Sequence, residues 1–310
     1  MRPTEPSLPE MPPRANTDAP MAALDYGLYA LTVFAWSTSW IALKNQLGVV
    51  APEVSLVWRF GLSAILMFVW ALVTRERMRF SLSDHLRFAG LGVFIFSFNF
   101  VLFYHGGMVL TSGLLAVIFS LASVFNMLLG AVFLGQRIDR RVLAGAAFGF
   151  AGVALMFWPE IAGTEFDHRA AIGLALCVGG TLSFCTGNMI SATNQRRGLP
   201  VVPANAYGMA YGTAFLAIAS LLMGHAFIIE PTARYLVSLG WLSVVSSVLA
   251  FAAYLTLLGR IGSGRAGYST VLFPVFALAI STVFENYHWT AAAIAGLVLV
   301  MIGNVIVLRR

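Results

Sequence analysis

Two stripes of aromatic residues carry the chemistry open to this sequence. Trp36, Trp40 and Lys44 recur at i, i+4 and i+8, which stacks them on one helix face, with Ser37 and Ser39 beside them. Rings along such a stripe pack a flat apolar group, and an ammonium at the outer end attracts a carboxylate, so the pattern suits an amino acid. A plainer reading is an interfacial tryptophan belt with a lysine that snorkels to the surface. That reading fits Lys44 as well as the first one does, and fits Trp36 and Trp40 less well because they lie deep in their span. Phe96, Phe100 and Tyr104 repeat the spacing, with Asn99 among them and His105 at the outer end. Stripes like these serve core packing as readily as ligand contact.

Isolated polar groups in the apolar stretches add to the set. Asn99, Asn126 and Asn188 must face protein, water or substrate, because an unsatisfied amide in hydrocarbon costs several kcal/mol. The alternative for each is a helix-to-helix hydrogen bond, worth on average about 0.6 kcal/mol. Arg59 lies early in the second apolar stretch, where insertion of a charge toward a helix centre costs about 2.5–3.5 kcal/mol. It is read either as a cavity cation for a carboxylate or as a structural charge held by Glu53 or by carbonyls. Later candidates are Tyr207, Tyr211, Ser246, Ser247, Tyr254, Tyr268, Ser269, Thr270 and Phe273. For Tyr207, Tyr254 and Tyr268, near the inner surface, an aromatic belt is an equal explanation. The expected substrate-binding set is Trp36, Ser37, Trp40, Lys44, Asn99, Phe100, Tyr104, Asn126, Asn188, Tyr268 and Phe273. Glycines mark expected gates: Gly106, Gly107 and Gly113 bracket one short hairpin, and Gly262 and Gly264, with Gly267, bracket another. Pro274 is expected to bend its helix. Close packing is the alternative reading of these glycines, and it fits Gly145 and Gly152 best.

What is missing excludes several functions. All 13 Asp and Glu residues lie in the N-terminal segment, in loops or at span ends, and the 5 histidines avoid span centres. A carboxylate proton relay is therefore not expected, which leaves facilitated diffusion or exchange. An intramembrane enzyme is the alternative from a different class; such an enzyme generally needs clustered metal ligands or a nucleophile with a base, and no His, Cys, Asp or Glu cluster lies within a span, so no metal or cofactor is expected. Cys177 and Cys185, eight residues apart on one helix, are separated by about 12 Å along its axis and cannot pair. No phosphate-cradling glycine loop is present, so ATP is not expected to drive the protein. A sensor or assembly role stays open, but gives no reason for an internal duplication of the chain.

The elements that position these residues follow from composition. The 310-residue chain is 59% hydrophobic and 10% charged, far below the roughly 25% charge of soluble domains, so it belongs in a lipid bilayer. Apolar stretches long enough to span run over about 25–46, 53–74, 86–105, 110–134, 141–158, 170–192, 203–224, 234–258, 264–284 and 290–308. They are apolar all round, as helices in lipid are, and do not alternate as barrel strands do. Residues 1–22 are proline-rich and polar and read as a disordered cytoplasmic tail without a cleavable signal pattern.

The second half matches the first at a constant offset of 151. Pro52 recurs as Pro203, Gly61 as Gly212, Phe100 as Phe251, Gly145 as Gly296 and Gly152 as Gly303. Five spans is an odd number, so the second set enters from the opposite side, giving two inverted five-helix repeats, 23–158 and 170–310, joined by an extracytoplasmic segment, 159–169. Chance matching of two glycine-rich apolar sequences is the alternative, and the single register across Pro, Ser and Gly argues against it. Arginines crowd alternate loops, among them Arg75, Arg77, Arg79, Arg140, Arg141, Arg196, Arg197 and Arg260, which predicts that both termini are cytoplasmic. The net charge of +6 is thus a topology signal, with no interleaved basic and aromatic surface for nucleic acid.

The ends of the halves carry a resemblance. Phe133-Leu134-Gly135-Gln136-Arg137 through Gly145 to Gly152, and Pro274-Val275 through Gly296 to Gly303, resemble the duplicated unit of the EamA type in the drug/metabolite transporter superfamily, over residues 23–310. Gln136 stands where that family often has Glu, and Ser123 where the proline seen as Pro274 is common. The resemblance implies ten membrane helices, a central cavity, alternating access and export of a small molecule from the bacterial inner membrane. The aromatic first and third spans are most similar to the YddG exporters of aromatic amino acids; other metabolites and cationic drugs are the alternative cargo, and oligomeric state is not legible.

Overall fold

The computed structural model describes residues 22–134, 140–158, 168–267 and 269–308. Among them all regular structure is helical, and no strand occurs. Helix α1 covers Ala23–Lys44, and α2, Pro52–Val73, opens with proline at a position whose N–H would have no intrahelical partner. A capping box starts α3 (Leu82–Val93): the Ser81 hydroxyl accepts from the Asp84 amide at 3.3 Å, and Asp84 Oδ2 accepts from the Ser81 amide at 3.1 Å. The helix continues through a π-helical segment, Phe94–Phe98, into α4, Asn99–Gly107. After a tight turn, α5 (Ser112–Ser120) and α6 (Ala122–Leu134) form one rod interrupted at Leu121, and α7 covers Arg140–Met156.

The rest of the chain repeats this order. Helices α8 (His168–Arg196) and α9 (Val201–Leu222) are followed by α10 (Ala233–Trp241), a π-helical segment (Leu242–Leu249) and α11 (Ala250–Gly267). Then come α12 (Ser269–Phe284), with Pro274 inside it, and α13 (Ala291–Leu308). Among the described residues five stretches are long and apolar enough to cross a bilayer: Pro52–Val73, Leu82–Gly107, Ser112–Phe133, His168–Arg196 and Ala233–Leu257. Shorter apolar helices occupy Leu143–Met156, Leu272–Phe284 and Ala291–Ile306. This is a helical protein of several membrane spans.

The two π segments are the clearest local departure from a reading of regular spans. Shifting Phe94–Phe98 by the 151 offset gives positions 245–249, inside Leu242–Leu249. A single π turn leaves the apolar pattern of a span intact, so periodicity does not reveal it. A second departure concerns the hairpin glycines. Helix α11 continues to Gly267, past the span end predicted at 258, so Gly262 and Gly264 sit in helical backbone. Arg260 Nε bonds Asp25 Oδ1 at 2.5 Å, which docks this extension on the start of α1. The tail through residue 21, Gln136 and Arg137, most of the connecting segment, Tyr268, Arg309 and Arg310 lie outside the described residues.

Packing is reciprocal between the halves. Helix α1 packs on α11 and α12, while its repeat counterpart α8 packs on α4 and α6. Helix α2 lies against α9, its own counterpart, and α7 lies against α13, likewise. Glycines set the last contact: a Cβ added at Gly152 would stand 2.5 Å from the Gly296 carbonyl oxygen, and one at Gly303 would stand 2.6 Å from that of Gly145. Each of these pairs is the other shifted by the repeat, and the order of contacts makes α7 and α13 antiparallel. Glycines also set the contact of α3 with α9, where a Cβ at Gly92 would stand 2.7 Å from the Gly212 amide nitrogen.

Gly152→Val should therefore separate α7 from α13 and destabilise the fold by about 1–3 kcal/mol. Thermal unfolding in detergent micelles would show this as a lowered midpoint. Gly27→Val, with open space around the Cβ position, is the control that should leave the midpoint unchanged.

Candidate functional site

The aromatic stripes converge at the centre of the bundle. Trp36 sits among the rings of Phe119, Phe184, Phe251, Tyr254 and Phe273, with centroids 4.9–6.2 Å away. Trp40 adds contacts to Phe103 at 5.1 Å and Phe119 at 5.4 Å. The rings come from both halves, and edge-on or tilted pairs of this kind contribute about 0.5–1.5 kcal/mol each beyond their buried area. Between them lies a cavity of about 30 Å³ walled by Trp36, Ser39, Trp40, Leu43, Arg59, Asn99, Phe100, Phe119, Phe184 and Phe251. That volume holds a water molecule and no metabolite.

Both π segments border the cavity. Asn99 and Phe100 follow the first directly, and Asn99 Nδ2 donates to the Ile95 carbonyl at 3.0 Å. In the second, the Ser246 carbonyl accepts from Trp36 Nε1 at 3.1 Å and the Ser247 hydroxyl accepts from Arg59 Nε at 3.0 Å. The Arg59 guanidinium lies 4.4 Å from the centroid of Phe100 and 5.0 Å from that of Phe60. Among the described residues no carboxylate is within ion-pair distance of it. Glu53, the partner open to it in sequence, instead meets His105 Nε2 at 2.8 Å and His225 Nδ1 at 3.5 Å.

The other expected site residues divide between wall, packing and end closure. Trp36, Trp40, Asn99 and Phe100 line the cavity, and Phe273 backs Trp36. Ser37 is buried next to them with its hydroxyl unpaired. Asn188 donates to Asn126 Oδ1 at 3.3 Å away from the cavity wall, which is the helix-to-helix pairing and not the ligand contact. Tyr268 is outside the described residues. Gly106 is pressed against Gly173 and Cys177 of α8, and Gly113 against Leu278 of α12, where a Cβ would stand 2.5 Å from a side-chain carbon. Tyr207 and Tyr211 cluster with His85 at the far end, Tyr207 also packing on Phe88 and Phe80.

Lys44 closes one end of the bundle. Its ammonium donates to the carbonyls of Gly107 at 2.5 Å and Leu110 at 3.0 Å, tying the end of α1 to the α4–α5 turn. The Ser112 amide donates to Glu285 Oε2 at 2.9 Å, and the Ser112 hydroxyl bonds the same oxygen, which joins the start of α5 to the end of α12. Tyr104 donates to Gln46 Oε1 at 2.6 Å. Lys44, expected at the substrate, bonds the carbonyls of this turn instead, and Tyr104, also expected there, bonds Gln46 and stands beside Arg59 of the cavity wall. Cavity residues outside the expected set are Ser39, Leu43, Arg59, Phe119, Phe184 and Phe251. Of these Phe251 had a signal, being the repeat counterpart of Phe100; Phe119 and Phe184 lie in all-apolar surroundings that mark no single ring.

Comparison with known proteins bears on this geometry. The profile of the EamA-like transporter family matches residues 26–158 and again 170–309, once in each half. A relative in Salmonella typhimurium (strain LT2), named "Probable amino-acid metabolite efflux pump", is 27% identical over 301 residues, covering 91% of this chain and 94% of that protein. Another, in Streptantibioticus cattleyicolor, is named "Probable terminal-alkyne amino-acid exporter" and is 27% identical over 289 residues, 90% of this chain and 92% of its own. A crystal structure of another protein aligns with a TM-score of 0.68 and 16% identity over 92% of this chain and 96% of that one, a likeness of fold.

Lys44→Met should leave the Gly107 and Leu110 carbonyls without their shared donor and loosen the turn. Hydrogen–deuterium exchange read by mass spectrometry should rise over residues 106–112 and stay unchanged in α7 and α13. Equal exchange in mutant and wild type would contradict a latch at this end.

Proposed function

The chain belongs to the EamA-like transporter family, and from that membership we propose that it exports small metabolites, amino acids with aromatic ones foremost, by alternating access through its central cavity. The observation that carries this reading is the ring-lined cavity between the halves, which offers flat apolar surfaces to a side chain and Arg59 to a carboxylate. The names of the two relatives, an amino-acid metabolite efflux pump and an amino-acid exporter, point the same way. Cationic drugs suit the cavity less, because a buried guanidinium faces them.

We read the chain as ten spans in two inverted sets of five, with both termini in the cytoplasm and the bacterial inner membrane as its site. Antiparallel packing of α7 on its repeat counterpart α13 supports the inversion, and arginine-rich alternate loops support the orientation. In this reading the Lys44 end faces outward and is shut. Export then requires the contacts of Lys44 and Ser112 to break as the opposite end closes. The protein is a transporter and not an enzyme; the proposed role needs no cofactor or ATP. With no carboxylate on the cavity wall, flux follows the substrate gradient without proton coupling.

Counterflow of radiolabelled phenylalanine into proteoliposomes holding the purified protein tests the function, and flux should persist when the pH difference is collapsed. Absence of phenylalanine flux, or flux only under a proton gradient, would contradict the reading. Trp40→Ala should weaken competition by tryptophan and phenylalanine by about 0.5–1.5 kcal/mol, roughly two- to tenfold, and leave alanine and threonine less affected.

A further inference from the structure

Arg59 and Trp40 are two hydrogen-bond donors on one cavity wall whose capacity the described residues do not fill. Arg59 is 2% exposed; its Nε donates to the Ser247 hydroxyl, and the Tyr104 phenol stands beside it. Trp40 is 7% exposed and its Nε1–H has no acceptor among the described residues, whereas the neighbouring Trp36 indole is satisfied by a carbonyl. A buried guanidinium without a counter-charge is among the costliest arrangements a membrane interior permits. Glu53 does not relieve it, being held by His105 and His225.

We propose that Arg59 and the Trp40 indole form the receptor for the carboxylate of the transported compound, so that the cavity takes aromatic and apolar monocarboxylates whether or not they carry an α-ammonium. The transport of the bound compound rests on the exporter reading, and its binding rests on geometry alone. A planar guanidinium presents parallel N–H donors that match the two oxygens of a carboxylate, and an indole N–H adds a third bond. The ring cluster then receives the rest of the molecule.

Among the described residues the wall offers no negative charge to the ammonium. No Asp or Glu of theirs lines the cavity, and the Ser39 hydroxyl already donates to the Trp36 carbonyl. Asn99 is the one side-chain amide there. Aromatic faces attract cations in general, but the face of Phe100 carries the Arg59 guanidinium 4.4 Å away, and a second cation would be repelled. Lys44, the other cation of α1 and α2 near this wall, bonds the carbonyls of Gly107 and Leu110 and does not compete for the carboxylate.

Three compounds sharing a phenyl group and differing in charge test this: 3-phenylpropionate, phenylalanine and phenethylamine, titrated into the purified full chain by isothermal calorimetry. The carboxylates should bind within about threefold of each other, and phenethylamine about tenfold or more weaker. Arg59→Gln should weaken both carboxylates about tenfold or more, with Arg59→Lys recovering part of the loss. Trp40→Phe keeps a ring, removes the N–H and should cost the carboxylates about two- to fivefold, a test that stands if the Arg59 variants fail to fold. Phenethylamine binding as tightly as phenylalanine, with 3-phenylpropionate silent, would overturn the proposal, as would binding by none of the three. Carboxylate binding without counterflow would contradict the exporter reading alone, and counterflow that phenethylamine inhibits as well as phenylalanine does would contradict the receptor alone.

Discussion

A bilayer interior supplies no water, so each polar group on a membrane helix needs a partner in protein or ligand, and this constraint governs where polar side chains sit in the chain. Serines and threonines meet it locally by bonding carbonyls of their own helices, as Thr32 does to Leu28 at 2.8 Å. Others bond across helices: Ser63 donates to the carbonyls of Arg59 at 2.7 Å and Ser243 at 3.1 Å, and Ser97 to those of Gly92 at 2.7 Å and Gly212 at 3.1 Å. Those cross-helix bonds lie beside the π segments, where widened turns release carbonyls for other donors. Among the described residues some buried side chains, such as Asn205 and Ser220, have atoms without a partner; on the cavity wall the Trp40 indole is one, and the functional reading grows from it and from Arg59, which has no carboxylate beside it.

The second constraint is the repeat. Contacts made by a helix with its own counterpart must be self-complementary, and glycines at Gly145, Gly152, Gly296 and Gly303 let α7 and α13 meet backbone to backbone. Contacts between unlike helices occur twice, once per half, and the proposed alternating access would exchange two arrangements of one bundle, with one end shut or the other. The structure holds the end where Lys44 bonds the α4–α5 turn and Glu285 bonds Ser112. A cavity of only about 30 Å³ accompanies it.

Helical periodicity made much of this legible. Trp36, Trp40 and Phe100 stand on the cavity wall because i, i+4 spacing fixes a face, and hydropathy placed the long spans from Pro52, Leu82, Ser112, His168 and Ala233 close to where they lie. Lys44 and Tyr104 show the limit of such reasoning, since a stripe gives a face but not the nearest acceptor at its end. Phe119 and Phe184 were hidden because an aromatic ring among aliphatic residues has no contrast. Arg59 was visible as a cost, and only the position of Glu53 against two histidines removes its sequence neighbour as a partner. Neither π segment leaves a mark on composition, and the extension of α11 through Gly262 and Gly264 is accompanied by an Asp25–Arg260 bond between residues 235 positions apart.

The most direct test of the account is whether the end closed by Ser112 and Glu285 must open for flux. Ser112→Cys and Glu285→Cys, in a background where Cys177 and Cys185 are alanine, can be joined by a short reducible thiol cross-linker, and phenylalanine counterflow measured in proteoliposomes before and after reduction. The account predicts flux abolished while the link is in place and restored when it is cut. Undiminished flux through the fully cross-linked protein would contradict it.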